Sequence, residues 1–293
     1  MQKVVPHLWF DKEAVEAAEF YTSLFDDSNI DSVVQLHETP AGDSDTVSLK
    51  LYGQDFMFIS AGPIFQLNPS ISLMVNCSTK EEVNHLWEAL SVDGNILMDL
   101  GEYPFSEKYG WVNDRYGVSW QLIYVDQPFK QKIVPNLMFA GQQAGKAKEA
   151  IEFYTSLFEN SKVESVSYYE AEENPKQDGM LQYASFTLAG QEFSAMDSAE
   201  NHEFNFNEAF SILVNCDTQE EIDFLWDKLS VIPEAEQCGW LADRFGVSWQ
   251  ISPSILGEIM ATKNEEQKQR VTQSFLQMKK MDIAELERAY AGK

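Results

Sequence analysis

The chain is short of basic charge. Among 293 residues, 21 Lys and Arg stand against 47 Asp and Glu, a formal net charge of −26. Such a surface repels phosphate backbones and anionic leaflets, so neither nucleic acid nor membrane is expected as a partner. No apolar run approaches the ~18 residues of a membrane span. The opening residues, Met1 to His7, lack the long apolar stretch of a secretory leader. Only 3 cysteines are present, Cys77, Cys216 and Cys238, without CxxC spacing. Free thiols and a cytoplasmic location are expected from that usage. The 15 glycines form neither GxGxxG nor GxxxxGK[ST], and no GxSxG occurs, so the nucleotide-loop and nucleophile-elbow signatures are missing. What remains is globular in composition, with 44% hydrophobic and 23% charged residues.

The clearest positive feature is a repeat. Phe20-Tyr21-Thr22-Ser23-Leu24-Phe25 returns as Phe153-Tyr154-Thr155-Ser156-Leu157-Phe158. Val75-Asn76-Cys77 returns as Val214-Asn215-Cys216. Asp114-Arg115-Tyr116-Gly117-Val118-Ser119-Trp120-Gln121 returns as Asp243-Arg244-Phe245-Gly246-Val247-Ser248-Trp249-Gln250. The offsets are 133, 139 and 129, which differ by loop-sized insertions. A unit of roughly 130 residues exceeds the ~20–50 of solenoid repeats, so this is a duplicated domain. Expected boundaries are residues 1–127 for copy one, 128–255 for copy two and 256–293 for a helical tail. Residues 1–126 carry a net −14, residues 127–255 carry −13 and the tail carries +1. The acidity therefore belongs to both copies.

Each copy reads as strand, helix and three strands, twice over. A strand over residues 4–10 precedes a helix with Ala14, Ala18, Tyr21 and Phe25 at helical spacing and Asp11 as the expected cap. Strands are expected over 31–37, 46–52 and 56–60. Gly53-Gln54 and Gly190-Gln191 suggest type II′ hairpins. Strand 70–76 leads to Thr79-Lys80-Glu81-Glu82, and its repeat is Thr218-Gln219-Glu220-Glu221; both fit a capping box that opens a helix. Strands over 111–113 and 118–125 close the copy. In the tail, Val271, Phe275 and Met278 share one face, and Asp282 is placed to cap a last helix.

Val5-Pro6-His7-Leu8-Trp9-Phe10, followed by Ala18-Glu19-Phe20-Tyr21-Thr22-Ser23-Leu24-Phe25, resembles the opening of PhnB-like domains. Copy two continues the resemblance through Phe206–Ser211 and Val214–Glu221, then through Cys238–Ile251. The tail from Gln277 to Tyr290 is similar as well. These domains belong to the vicinal oxygen chelate superfamily, with glyoxalase I, bleomycin-resistance proteins and extradiol dioxygenases. The resemblance implies an α+β fold of paired βαβββ modules, in two tandem copies, whose curved sheets enclose a cleft. It also implies that one chain holds a fused pseudo-dimer, with a homodimer of such chains left open.

Catalytic members of the superfamily hold a divalent metal through His and Glu on the first and last strands of the modules. Carried over by position, the first-strand residues are His7 and Asn136, and the last-strand residues are Gln121 and Gln250. Further positions read Ile59-Ser60, Ser70-Ile71, Met196-Asp197 and Ala209-Phe210, of which Asp197 is the only strong ligand type. A tight divalent site wants three or four good ligands, and amide oxygens are weak ones. No cofactor is assured on this basis; a divalent metal at copy one, through His7 and Gln121, stays open beside a His7–Gln121 hydrogen bond. Strand alternation separates Val5, His7 and Trp9 from Leu8 and Phe10, and Ser119, Gln121 and Ile123 from Val118, Trp120 and Leu122. The face expected to carry His7 and Gln121 is therefore half polar, as a ligand-facing surface should be. The expected ligand-binding set is His7, Trp9, Trp111, Gln121, Asn136, Asp197, Trp240 and Gln250. Trp87, Trp120, Trp226 and Trp249 read as core, and Arg115 and Arg244 as turn ion pairs with the neighbouring Asp.

Three functions stay open. The first is binding of a small molecule in a sheet-enclosed cleft, as in bleomycin-resistance proteins. The second is a metal-dependent lyase, isomerase or dioxygenase acting at copy one. The third is a non-catalytic interaction protein that uses the tail helices. The demethylubiquinone methyltransferase label often given to PhnB-like domains finds no nucleotide-binding signature here.

Overall fold

The computed structural model describes residues 2–39, 42–170, 176–260 and 264–293. Copy one opens with β1 (Val4–Phe10), α1 (Ala14–Leu24), β2 (Asn29–Thr39), β3 (Gly42–Leu51) and β4 (Gln54–Ser60). It continues with β5 (Ile71–Cys77), α2 (Lys80–Leu90), β6 (Asn95–Tyr103), β7 (Ser106–Asn113) and β8 (Ser119–Tyr124). Copy two opens with β9 (Ile133–Phe139), α3 (Ala147–Leu157), β10 (Lys162–Tyr168), β11 (Leu181–Leu188) and β12 (Gln191–Asp197). Its second module holds β13 (Phe210–Cys216), α4 (Gln219–Leu229), β14 (Trp240–Ala242) and β15 (Ser248–Pro253). The tail forms α5 (Ile255–Met260), α6 (Glu265–Leu276) and α7 (Ile283–Ala291).

Three modules are βαβββ as expected, and the fourth is βαββ. Where copy one has the β6–β7 hairpin, copy two has a single turn of 3₁₀ helix at Pro233–Ala235 and the short β14. The segment between α4 and β14 is too short for a second strand of comparable length.

The sheets are interleaved. The seven-stranded sheet runs β14-β15-β13-β1-β4-β3-β2, and the eight-stranded sheet runs β10-β11-β12-β9-β5-β8-β7-β6. Each joins the first module of one copy to the second module of the other. The seams are β1 with β13, where His7 faces Ser211, and β9 with β5, where Asn136 faces Ser72. Both are antiparallel.

Alternation sorts the strand faces. Phe10 meets Phe58, and Phe58 meets Tyr21 of α1, so Leu8 and Phe10 face the core. The core then crosses between sheets, because Tyr21 packs edge-on to Trp120 of β8 with ring centroids 5.2 Å apart. Tyr154 of α3 repeats the contact with Trp249 of β15, also at 5.2 Å. Two buried carboxylates tie these junctions, as the Tyr21 hydroxyl donates to Asp114 at 2.5 Å and that of Tyr154 donates to Asp243 at 2.6 Å. Arg115 and Arg244 are therefore not the partners of these Asp residues. Arg115 lies over Phe20, and Arg244 pairs with Glu149 over Phe153.

Local signals fare unevenly. Thr79 and Thr218 cap α2 and α4 by accepting from the amides of Glu82 and Glu221. Thr218→Ala should lower stability by about 1 kcal/mol, measured by urea unfolding, and a change within error would remove the cap's contribution. Asp282 caps α7 as expected. Asp11 does not cap α1; the Ser60 hydroxyl accepts from the Ala14 amide instead. The hairpins are two-residue turns, but the corners are Tyr52-Gly53 and Ala189-Gly190, all at positive φ. That is type I′ geometry, with glycine second and not first.

Candidate functional site

The face of β1 opposite the core carries Val5, His7 and Trp9, and the seven-stranded sheet brings residues of copy two beside them. One transverse row reads Ser248, Ser211, His7, Met57. Gln250 lies on the same face and donates from Nε2 to the Ser211 hydroxyl at 2.9 Å. Trp240 of β14 stands perpendicular to the His7 ring, with centroids 5.3 Å apart, and 6.0 Å from Trp9. Phe65 closes on Trp9 at 5.1 Å. His7 is 3% exposed, and burial pulls its pKa down to about 3, so the ring is neutral at pH 7. Its Nδ1 has no hydrogen-bond partner, and neither has the hydroxyl of Ser248.

The eight-stranded sheet builds the counterpart from the other two modules, with Asn136 in the place of His7. Its row reads Ser119, Ser72, Asn136, Ser194. Here the polar groups largely satisfy one another. The Tyr109 hydroxyl donates to Gln121 Oε1 at 2.7 Å, and Gln121 Nε2 donates to Ser72 at 2.7 Å. Trp111 Nε1 donates to Ser119 at 2.8 Å, and Ser194 donates to Asn136 at 2.9 Å. Asn136 Nδ2 is left without a partner, and so is Oδ1 of Asn113, which extends the row beyond Ser119. The two Trp residues thus diverge: Trp111 satisfies Ser119, while Trp240 turns against His7 and leaves Ser248 free.

The structure separates residues that the sequence pattern joins. His7 and Gln121 lie in different sheets, so they neither share a hydrogen bond nor converge on one ion. His7 stands with Trp9, Trp240 and Gln250; Gln121 stands with Trp111 and Asn136. Asp197 joins neither group. Its Oδ1 accepts from the amides of Gly145 and Ala147, and its Oδ2 accepts from that of Leu181. It pins the start of α3, the task Ser60 performs for α1.

A divalent metal does not fit the donors at His7. They comprise one imidazole, two hydroxyls and the neutral amide of Gln250, whose Nε2 is given to Ser211 and whose carbonyl oxygen is a weak ligand. Among the described residues, no three His, Cys, Asp or Glu side chains gather into a ligand set. A tight site would want three or four such groups. Cys77 and Cys216 are buried on the core side, where desolvation pushes both thiols up to about 12.

Ser72, Ser119, Ser211, Ser248 and Tyr109 were not singled out from the sequence. A signal existed for two of them: the repeated Gly-Val-Ser-Trp-Gln places Ser119 and Ser248 two residues before the chosen glutamines, on the same strand face.

The 3-demethylubiquinone-9 3-methyltransferase family matches residues 2–123 and again residues 131–252. A PhnB protein from Bacillus cereus is 44% identical over 42% of this chain and 100% of its own, with a TM-score of 0.40. A single-residue variant of glyoxalase I from Zea mays is 10% identical over 86% of this chain and 95% of its own, with a TM-score of 0.51. A proposed dioxygenase from Bacillus subtilis is 10% identical over 85% of this chain and 84% of its own, with a TM-score of 0.50. No curated protein matches the chain. No helix among the described residues is long and apolar enough to cross a membrane.

Proposed function

For a chain that belongs, in both of its halves, to the PhnB-like 3-demethylubiquinone-9 3-methyltransferase family, we propose the binding of an uncharged, partly aromatic small molecule on the His7 face of the seven-stranded sheet. One observation carries this reading. His7 Nδ1 and the Ser248 hydroxyl are both buried and unpartnered, one residue apart across Ser211 in a single row. A buried polar group without a partner costs about 1–3 kcal/mol, which a ligand that bonds it recovers. Trp9 and Trp240 flank the row and offer aromatic edges and faces. The preference for an uncharged ligand follows from the neutral imidazole and from Lys50 and Asp55, which share this face and pair with each other. The Asn136 face has as many open groups, Asn136 Nδ2 and Asn113 Oδ1, but they stand three strands apart. His7 is favoured because its two lie closer together and beside Trp9 and Trp240.

The metal-dependent reading loses its support with the donor set. The interaction-protein reading loses its main surface, because Val271, Phe275, Met281 and Leu286 of the tail are buried against this same chain.

The test is ligand-observed NMR with neutral planar heteroaromatics of fragment size. Hits should bind His7→Ala at least ~10-fold more weakly, the equivalent of one lost buried hydrogen bond. Gln121→Ala, in the other sheet, should leave the same hits unchanged. Equal binding to wild type and His7→Ala would remove the proposal.

A further inference from the structure

The fourth module lacks a third strand, and the tail stands in its place. The amide of Cys238 donates to the Met278 carbonyl at 2.8 Å, and that of Gly239 donates to Lys279 at 2.7 Å. Gly239 sits at φ +84°, and a Cβ there would lie 2.8 Å from the Ile251 carbonyl and 3.1 Å from Met281. A side chain there would strike the β15 backbone and strain this φ, so the turn that offers these two amides to the tail requires glycine. Gln219 adds two bonds, from Nε2 to the Met281 carbonyl and from the Ile283 amide to Oε1.

The same tail also reaches the opposite edge of the sheet. Gln273 of α6 donates from Nε2 to Glu38 of β2 at 3.0 Å. One turn later, the Leu276 carbonyl accepts from Gln237, in the turn that leads into β14. Strands β14 and β2 are the two ends of a seven-stranded sheet. Laid flat, its six intervals would hold these edges ~29 Å apart, at ~4.8 Å per interval. Residues three apart on a helix advance only ~4.5 Å. The sheet is therefore curled until one turn of α6 touches both edges. The His7 row lies mid-sheet, on the face shared by Val34 and Leu36 of β2.

We propose that α6 is a strap across the rim of the seven-stranded sheet, and that its hold on Glu38 sets the access of small molecules to His7. The proposal deepens the binding reading above and rests on it for its purpose, but its test needs no ligand. Closure comes from a polar, exposed contact at one edge and from backbone pairing at the other. The weaker edge is thus β2, and the strap opens there.

The test uses the full chain and diethyl pyrocarbonate as the probe, with modification of His7 read by peptide mass spectrometry. His85 and His202 serve as internal references. Gln273→Glu sets two carboxylates against each other and should raise the His7 rate ~3- to 5-fold, the size expected for an exposed pair. Adding Glu38→Lys restores an attractive pair and should return the slow rate. Phe275→Ala loosens α6 by packing instead of charge and should raise the rate as well. Wild-type rates at His7 in both Gln273→Glu and Phe275→Ala would overturn the strap. So would a fast rate that persists in the charge-swapped double variant. A strap that behaves as expected while heteroaromatic hits ignore His7→Ala would leave the strap standing and remove the binding reading alone.

Discussion

Asp243→Ala lowers the unfolding free energy by about 3–5 kcal/mol, the range for breaking a buried hydrogen-bond network and leaving several donors unpaired. Asp243 is 1% exposed, and both of its oxygens are fully used. Oδ2 accepts from the Tyr154 hydroxyl at 2.6 Å and from Trp249 Nε1 at 2.9 Å. Oδ1 accepts from the amides of Phe245 and Val247 at 2.8 and 3.1 Å. Alanine strands all four donors in a site closed to water. Asp114→Ala repeats the loss in copy one, where Tyr21, Trp120, Tyr116 and Val118 supply the donors. Because Tyr154 rides on one sheet and Trp249 on the other, the loss is felt by both sheets together. Urea denaturation should show one cooperative transition moved to lower urea with its slope unchanged. A shift worth under 1 kcal/mol, or two separate transitions, would contradict this account.

His7→Asn flattens the acid limb of the stability curve. Burial holds the His7 pKa at about 3 in the folded chain, against 6.5 when unfolded. The unfolded chain therefore binds the extra proton first as pH falls. Stability from the neutral ring is complete above pH ~6.5 and drains away as pH drops toward ~3. At pH 5 the wild type should have lost about 2 kcal/mol by this route, at 1.36 kcal/mol per pH unit. Asparagine, which occupies the equivalent place at 136, carries no such proton. The difference between the two proteins should therefore shrink or reverse between pH 7 and pH 5. Parallel stability curves would show that the ring is solvated and titrates normally.

The repeat, the helices and the strand faces were legible because they depend on short-range periodicity. Leu8 and Phe10 face the core and His7 and Trp9 face away, as alternation alone requires. The partnership of strands was not legible, since nothing local to β1 distinguishes β13 of copy two from β5 of copy one as its neighbour. The sequence pattern accordingly puts His7 beside Gln121, whereas its sheet supplies Gln250. Asp197 misled for a related reason: a carboxylate at a strand end reads as a ligand until the amides of Gly145, Ala147 and Leu181 are seen around it. The fourth module departs from the repeat it shares with the second, because the ten residues between α4 and β14 hold only one turn of 3₁₀ helix where copy one has β6. Its substitute lies some forty residues further on, at Met278 and Lys279.

Interleaving the two copies gives one gene product the genetic freedom of a heterodimer. In a symmetric pair of identical subunits, any change at a cleft appears twice. Here a substitution at position 7 alters one sheet face, and a substitution at position 136 alters the other. Each is read against a different half of the partner copy. The linker also fixes the two sheets at equal numbers in every molecule. Selection can therefore tune His7 for one task while Asn136 is held to another, with no need for two chains to find each other.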